Sequence, residues 1–290
     1  MHDSHIHLAM EPLATNIIEI ITRFTQHGGK YILTQGTEQD DWGKNLSISK
    51  KYSDIVQCAI GIHPTRFEES SIQQDKDICE VSTKEIKRYE NFFRENLENI
   101  TAIGECGLDY YQFNLNTAYT IDEKEQLKEM QKIALRKQLQ LAKEYNLPLS
   151  IHAREENGSD ECIKDTLRIL AEEGNGILRG SFHSYTGKIE HLEEIVDIGF
   201  HLGFNAIITY KSGEDVREIL KKTPIDRILF ETDGPFLPPQ SVRKNKKISI
   251  KFAQPADIKE IMEVASEVKD CSYETLERKS DENYEQVFLN

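Results

Sequence analysis

Eight short apolar runs are spaced along the chain, and each has the length of a strand in a buried sheet. The runs are His2–Leu8, Tyr31–Gln35, Ile55–Ile62, Ile100–Gly104, Leu147–His152, Ile177–Phe182, Phe200–Phe204 and Arg227–Glu231. Amphipathic segments follow them, with apolar residues at helical spacing. The predicted helices are Pro12–His27, Asp122–Tyr145, Glu161–Glu173, Ile189–Ile198, Glu214–Lys222, Pro255–Lys269 and Tyr273–Leu289.

Strands that alternate with helices predict a parallel sheet, because a helical crossover returns each strand in the same direction. Eight such units in 290 residues favour an α/β fold of the TIM type, a (β/α)8 barrel. A doubly wound open sheet is the main alternative. No internal repeat, low-complexity tract or Gly/Ser linker interrupts the sequence, so we expect one domain over residues 1–290.

Composition narrows the choice of function. The net charge is −14, which argues against binding of duplex nucleic acid through a broad basic surface. The five cysteines are widely spaced and predict neither a disulfide framework nor a zinc ribbon. No apolar stretch approaches the roughly 20 residues of a membrane span, and no secretory signal pattern opens the chain. We therefore expect a soluble cytoplasmic protein with no membrane partner.

Histidines and carboxylates cluster where predicted strands end. They are His5, His7, His63, His152, His183, Glu105 and Asp233. The carboxyl ends of the strands of a parallel barrel converge on one face, so these residues are expected to meet there. His5 and His7 are two positions apart and project to the same side of a strand. Converging neutral imidazoles bind metals, and the two carboxylates supply anionic oxygen that can bridge two cations.

Six segments around these residues resemble TatD-type metal-dependent deoxyribonucleases in order and spacing. They are Ser4–Leu8, Gly61–Pro64, Ile103–Tyr111, Pro148–Arg154, Phe182–Gly187 and Leu229–Phe236. The resemblance spans nearly the whole chain. It implies an amidohydrolase-type barrel with a two-metal centre, and family members hydrolyse phosphodiester bonds in DNA, several of them from the 3′ end of single strands.

The resemblance also implies a ligand set. His5, His7, Glu105 and Asp233 would hold the first metal, and Glu105 would bridge to a second metal completed by His152 and His183. An imidazole-rich set suits zinc as the metal found on isolation, with Mg²⁺ or Mn²⁺ as an alternative activating ion. We expect a monomer that takes single-stranded DNA ends as its substrate.

Phosphodiester hydrolysis suits this set, since two divalent ions stabilise the attacking and leaving oxygens together. Two M²⁺ ions, two carboxylates and a bridging hydroxide leave a local charge of about +1 despite the acidic chain. Glu105 and Asp233 are therefore the predicted catalytic residues, with Asp233 as general base. His63 and Arg154 are predicted to contact substrate, and Arg154 can grip a phosphate oxygen. Asp109 can orient a ligand histidine or cap a helix.

Two other functions stay open on the sequence. A small-molecule amidohydrolase, lactonase or phosphotriesterase can use the same barrel. The bridging position is Glu105 rather than a lysine that could be carbamylated, which argues against the phosphotriesterase type. A non-enzymatic metal-binding protein is the second alternative. The basic run Arg243–Lys251 follows the last predicted strand and is a candidate guide for single-stranded DNA.

Overall fold

A computed structural model describes residues 1–67, 78–115, 119–156, 158–174 and 176–290. Eight strands form its centre, and every ladder between neighbouring strands is parallel. The strands are β1 (His2–Ile6), β2 (Tyr31–Gly36), β3 (Val56–Ile60), β4 (Ile103–Asp109), β5 (Leu149–Arg154), β6 (Gly180–Phe182), β7 (His201–Phe204) and β8 (Ile228–Phe230). All eight predicted strands are present.

The strands lie in sequence order, and two contacts close them into a barrel. Strands β1 to β3 form one hydrogen-bonded sheet, and strands β4 to β8 form a second. A parallel bridge between Ala59 and Ala102 joins β3 to the chain just before β4. At the other seam, the Asp233 amide donates to the His5 carbonyl at 2.9 Å, and the His7 amide donates to the Gly234 carbonyl at 2.8 Å. The predicted (β/α)8 barrel is confirmed, and the alternative of an open sheet is excluded.

Helices surround the barrel, and the longer ones bury their apolar faces against it. They are α1 (Ile17–Gln26), α2 (Gln39–Lys51), α3 (Ile78–Asn96), α4 (Gln112–Leu115), α5 (Ile121–Tyr145), α6 (Glu161–Gly174), α7 (Leu192–Asp197), α8 (Glu214–Lys222), α9 (Gln240–Lys244), α10 (Ile258–Lys269) and α11 (Tyr273–Phe288). Phe24, Leu139 and Ile261 are examples of side chains that are fully buried in the core between helices and sheet.

The longest helix shows how the sequence sets its own ends. Thr120 and Glu123 form a capping box at the start of α5, in which the Thr120 hydroxyl accepts from the Glu123 amide. Such reciprocal bonds satisfy amides that have no partner within the helix. Asn146 ends α5 in the left-handed region at φ 53°. The strand β5 follows at once and carries His152 to the barrel mouth.

Several predicted boundaries were wrong. The first helix begins at Ile17 rather than Pro12, because residues 11–16 form turns. Helices α2 and α3 were not predicted. In α2 two of the four buried side chains, Asp41 and Asn45, are polar, which weakens the apolar pattern. No helix within the described ranges is long and apolar enough to cross a membrane.

Two strands that carry predicted site residues contain one extra residue each. In β1, Asp3 pairs with Ile32 and Ile6 pairs with Thr34. Three residue steps along β1 therefore lie opposite two steps along β2. In β4, Ile103 pairs with Leu149 and the next paired residue is Cys106. Such bulges re-aim side chains beside active sites, and these two occur at His5 and Glu105. Glu105 therefore lies inside β4, whereas the predicted strand ended at Gly104.

Candidate metal centre

The carboxyl ends of the strands surround a cleft of about 670 Å³. Seven of the eight predicted site residues line it. They are His7, His63, Glu105, His152, Arg154, His183 and Asp233. The eighth, His5, lies beneath them, fully buried, with its ring stacked on that of His183 at a centroid distance of 3.8 Å. The structure thus brings all eight residues together.

Glu105 occupies the middle of the cluster, and its two oxygens face different histidines. Oε2 lies 3.4 Å from Nε2 of His5 and 3.6 Å from Nε2 of His7. Oε1 lies 2.8 Å from Nδ1 of His152 and 2.8 Å from Nε2 of His183. Nε2 of His63 is 3.3 Å from the same oxygen. The two oxygens of one carboxylate therefore face two different sets of imidazoles.

We call His5, His7 and Asp233 the His5 group, and His63, His152 and His183 the His152 group. Asp233 joins the His5 group because its Oδ1 lies 3.3 Å from Nε2 of His7 and 3.8 Å from Nε2 of His5. Asp233 has a φ of 54°, a conformation that few non-glycine residues adopt. The hydrogen bond from its backbone amide to the His5 carbonyl holds the residue in that turn.

Buried partners orient the rings. Nδ1 of His5 lies 2.9 Å from the Ser150 hydroxyl, so its Nε2 faces Glu105. Nε2 of His152 lies 3.0 Å from Oδ2 of Asp109, so its Nδ1 faces Glu105. Outer partners of this kind fix the tautomer and angle of a ligating histidine.

Asp109 makes both of the contacts that the sequence left open, one to a histidine and one at the start of a helix. Its Oδ2 faces His152, as described above. Its Oδ1 accepts hydrogen bonds from the amides of Tyr111 at 3.0 Å and Gln112 at 3.3 Å, at the start of α4. The carboxylate therefore joins the histidine to the turn that begins the helix.

Charge within the cluster favours ionised carboxylates. Burial alone would raise the pKa of Glu105, but the charges of His63 and His183 and the hydrogen bond from His152 outweigh burial and hold that pKa well below its usual value. At Asp233, burial again raises the pKa, but the hydrogen bond from His7 and the charge of His183 outweigh burial. The pKa of Asp233 is therefore lowered. In contrast, burial and the neighbouring His183 lower the pKa of His5 to about 3. His5 is therefore neutral, as a metal ligand must be.

The donors fit a divalent cation. Nε2 of His5 is buried and makes no hydrogen bond among the described residues, which is costly unless another partner such as a cation occupies that position. Three sets of donor atoms lie within 4.8 Å of one another: His5 with His7 and Glu105, His5 with His183 and Asp233, and His63 with Glu105 and His152. Imidazole and carboxylate donors suit zinc, manganese or iron. His63, which the sequence assigned to substrate, thus also lies within reach of a cation.

Arg154 lies at the edge of the cluster. Its guanidinium stacks over the ring of Tyr111, 4.0 Å from the centroid. The residue is exposed and lines both the cleft and a neighbouring cavity of about 580 Å³. Stacking leaves the N–H groups at the edge of a guanidinium free to bind an anion, so this position suits a phosphate contact.

Two buried acids near the site were missed by the sequence analysis. Glu231 is fully buried, accepts a bond from the Ser184 amide and lies 3.7 Å from Nδ1 of His183. Asp3 accepts from the Thr232 hydroxyl at 2.6 Å and thereby joins β1 to the chain after β8. Each of these acids belongs to one of the apolar runs in the sequence. An acidic residue there could have indicated a buried polar contact, since a buried acid requires partners.

The basic run Arg243–Lys251 follows the last strand, as expected, but none of its residues lines the cleft. Arg243 instead stacks over the Tyr210 ring, 4.3 Å from the centroid. Residues Arg243–Lys251 therefore lie outside the lining of the cleft, and their role as a guide for single-stranded DNA stays a prediction.

Comparison with known proteins agrees with the geometry. A family model described as TatD related DNase matches residues 2–289. An uncharacterized metal-dependent hydrolase, YabD of Bacillus subtilis, is 30% identical over 288 residues, which are 99% of this chain and 98% of the relative.

Two solved structures share the fold. The TatD homologue YjjV of Escherichia coli has a TM-score of 0.79 and 22% identity, covering 100% of this chain and 98% of that one. A TatD family hydrolase of Entamoeba histolytica has a TM-score of 0.78 and 20% identity, with the same coverage. Together with the match along the whole sequence, these likenesses show that the chain belongs to the TatD family of metal-dependent hydrolases.

Proposed function

We propose that this protein is a deoxyribonuclease that hydrolyses phosphodiester bonds at single-stranded ends, in the 3′ to 5′ direction, with two divalent metal ions. The position of Glu105 is the observation that carries the proposal. Its oxygens face the His5 group on one side and the His152 group on the other. A bridging carboxylate between two sets of donors is what a two-metal site requires.

His5, His7, Glu105 and Asp233 would hold one ion, and Glu105, His152 and His183 would hold the other. When bound, two such ions neutralise phosphate charge and lower the pKa of water. Zinc suits the imidazole-rich donors, and Mg²⁺ or Mn²⁺ is an alternative ion for activity. The Asp109 carboxylate can only accept and so favours a proton on Nε2 of His152, while the Ser150 hydroxyl contacts Nδ1 of His5 and leaves its Nε2 facing the cluster.

Asp233 is the proposed general base. Its lowered pKa keeps the carboxylate ionised at neutral pH, and its side chain is 15% exposed at the cleft, whereas that of Glu105 is 4% exposed. A proton acceptor must be both unprotonated and within reach of water. Asp233 meets both conditions better than Glu105, whose oxygens are surrounded by histidines.

Arg154 and His63 are the proposed substrate contacts. The Arg154 guanidinium is always charged and can bind a phosphate through two N–H groups. Nδ1 of His63 lies 2.7 Å from the Thr65 hydroxyl, so its Nε2 points toward Glu105 and the cleft. These contacts would orient the phosphate next to the proposed base.

A Glu105→Gln variant tests the proposal. Metal-loaded wild-type protein and variant are incubated with single-stranded DNA, duplex DNA, RNA, lactones and phosphotriesters. A label at the 5′ end of the single strand reports a shortening ladder if hydrolysis starts at the 3′ end. The matched control is Glu19→Gln, because Glu19 is exposed on α1.

We expect wild-type protein and the Glu19 variant to shorten single-stranded DNA, and the Glu105 variant to lose that activity by at least about a hundredfold, as for other residues that stabilise charge in the transition state. Turnover of lactones or phosphotriesters alone would replace the proposal with the small-molecule alternative. Absence of turnover on every substrate would favour a non-enzymatic metal-binding protein.

A further inference from the structure

Phe236 is an exposed aromatic residue in the wall of the cleft. The chain contains twelve phenylalanines, eleven tyrosines and one tryptophan. Among these, within the described residues, Phe236 alone is exposed, at 50%. Single exposed aliphatic side chains are ordinary on protein surfaces. An aromatic ring that is exposed only at the candidate metal centre calls for a partner.

The ring lies next to a proposed metal ligand. Its centroid is 5.8 Å from that of His7, and the two planes meet at 74°. Met10, Ile207 and Leu237 line the same cleft and give it an apolar portion, whereas Arg154 gives it a cationic one. A nucleotide carries both characters, since its base has apolar faces and its phosphate is anionic.

The segment that carries Phe236 is held at several points. The Phe236 amide donates to the Asp233 carbonyl at 3.0 Å, and the Ala253 amide donates to the Pro235 carbonyl at 3.1 Å. The Tyr210 hydroxyl donates to the Pro238 carbonyl at 2.8 Å. These bonds fix the backbone on both sides of the ring, so the ring is placed before a ligand arrives. Such preorganisation lowers the entropic cost of binding.

We infer that Phe236 is the stacking surface for the base of the nucleotide next to the scissile phosphodiester. The inference rests on the proposed nuclease function and adds a specificity determinant to it. Stacking on an aromatic side chain tolerates every base, because each base has a π face. A site built in this way selects nucleotides over simple phosphate esters without selecting a sequence.

Two single-stranded oligodeoxynucleotides test the inference. One ends in a 3′-terminal thymidine, and the other ends in an abasic residue with the same sugar and phosphate. The measurement is the ratio of kcat/KM for the thymidine end to kcat/KM for the abasic end. It is made for wild-type protein and for Phe236→Ala, Phe236→Leu and Phe236→Trp. Ile177→Ala is the matched control, because Ile177 is 65% exposed and precedes β6 at the opposite end of the barrel.

We expect wild-type protein to favour the thymidine end by between about fivefold and about 150-fold, the range for loss of one stacked base. The ratio should fall toward one in the alanine and leucine variants and persist in the tryptophan variant, since tryptophan also stacks. The control should keep the wild-type ratio. A purely structural role for Phe236 would lower both rates together and leave the ratio unchanged.

Three results would overturn the inference. If wild-type protein shortens both oligonucleotides equally, or if Phe236→Ala and Phe236→Leu keep the wild-type ratio, the stacking role is wrong and the nuclease function stands. If wild-type protein shortens neither, the nuclease function is wrong and the stacking role falls with it.

Discussion

Replacing Asp109 by asparagine removes one charge next to His152 and keeps the shape of the side chain. The structure shows that two carboxylate oxygens meet two demands. Oδ2 faces Nε2 of His152 at 3.0 Å, while Oδ1 accepts from the amides of Tyr111 and Gln112. Asparagine has only one oxygen. If that oxygen stays on the two amides, the NH₂ group faces His152, whose Nε2 must then accept a hydrogen bond.

That exchange changes the tautomer of His152. Once Nε2 accepts, the ring proton moves to Nδ1, which is the nitrogen that lies 2.8 Å from Oε1 of Glu105. A protonated nitrogen cannot bind a metal. Loss of such an outer partner typically lowers metal affinity by about 10- to 100-fold, which is about 1.4–2.7 kcal/mol. If the amide flips instead, α4 loses its cap at about 1 kcal/mol.

The assay separates these two costs. Metal affinity is measured by competition with a coloured chelator, and the free energy of unfolding is measured in urea without metal. We expect Asp109→Asn to lose metal affinity with a stability change under about 0.5 kcal/mol, and Asp109→Ala to lose about 1 kcal/mol of stability as well. Asp197→Asn, on an exposed position of α7, is the control.

The reasoning would be refuted by a folded Asp109→Asn protein whose metal affinity lies within about twofold of wild type, because a change under about 0.4 kcal/mol is too small for a lost tautomer. His152 would then keep its tautomer by some contact other than Asp109, or would not bind metal at all.

Three further outcomes are expected. Exchanging Lys244, Lys246 and Lys247 for serine should weaken DNA binding and lower the slope of log affinity against log salt by up to about 2; an unchanged slope rejects a guiding role for the basic run. Burial raises the pKa of Asp257 from 3.8 to about 6, so its contribution to stability is present below pH 3.8 and is lost as pH rises through 6. In urea unfolding, Asp257→Asn should therefore be more stable than wild type by up to about 3 kcal/mol at pH 7.5 and should show no gain at pH 3.5. Metal restored to chelator-treated protein at about 100 times its dissociation constant should add about 2.7 kcal/mol to the unfolding free energy; an unchanged melting temperature would contradict a metal bound to the folded state.

The sequence predicted the barrel well because buried parallel strands are nearly continuous apolar runs. All eight runs became strands, and Glu214–Lys222 matches α8 at both ends. The prediction failed where polar residues are buried with partners. Helix α2 buries Asp41, whose carboxylate accepts from the Thr37 hydroxyl at 2.8 Å. No pattern of apolar residues reveals such a contact between elements.

The site shows the same limit. Period-two alternation placed His5 and His7 on one side of a strand, and the structure brings both rings to Glu105. The extra residues in β1 and β4 were not predicted, because a bulge is set by pairing between strands. For the same reason, the local pattern could not show that Glu105 points into the cluster from within a strand rather than from its end.

The seam between β1 and the chain after β8 has a consequence for synthesis. The His5 group takes His5 from β1, His7 from the position directly after β1, and Asp233 from more than two hundred residues later. A hydrogen bond from the Asp233 amide to the His5 carbonyl joins the two ends of the set. During translation, a growing polypeptide cannot complete this set of donors until residue 233 has left the ribosome. Until then the nascent polypeptide holds His5 and His7 without the carboxylate that faces them from Asp233.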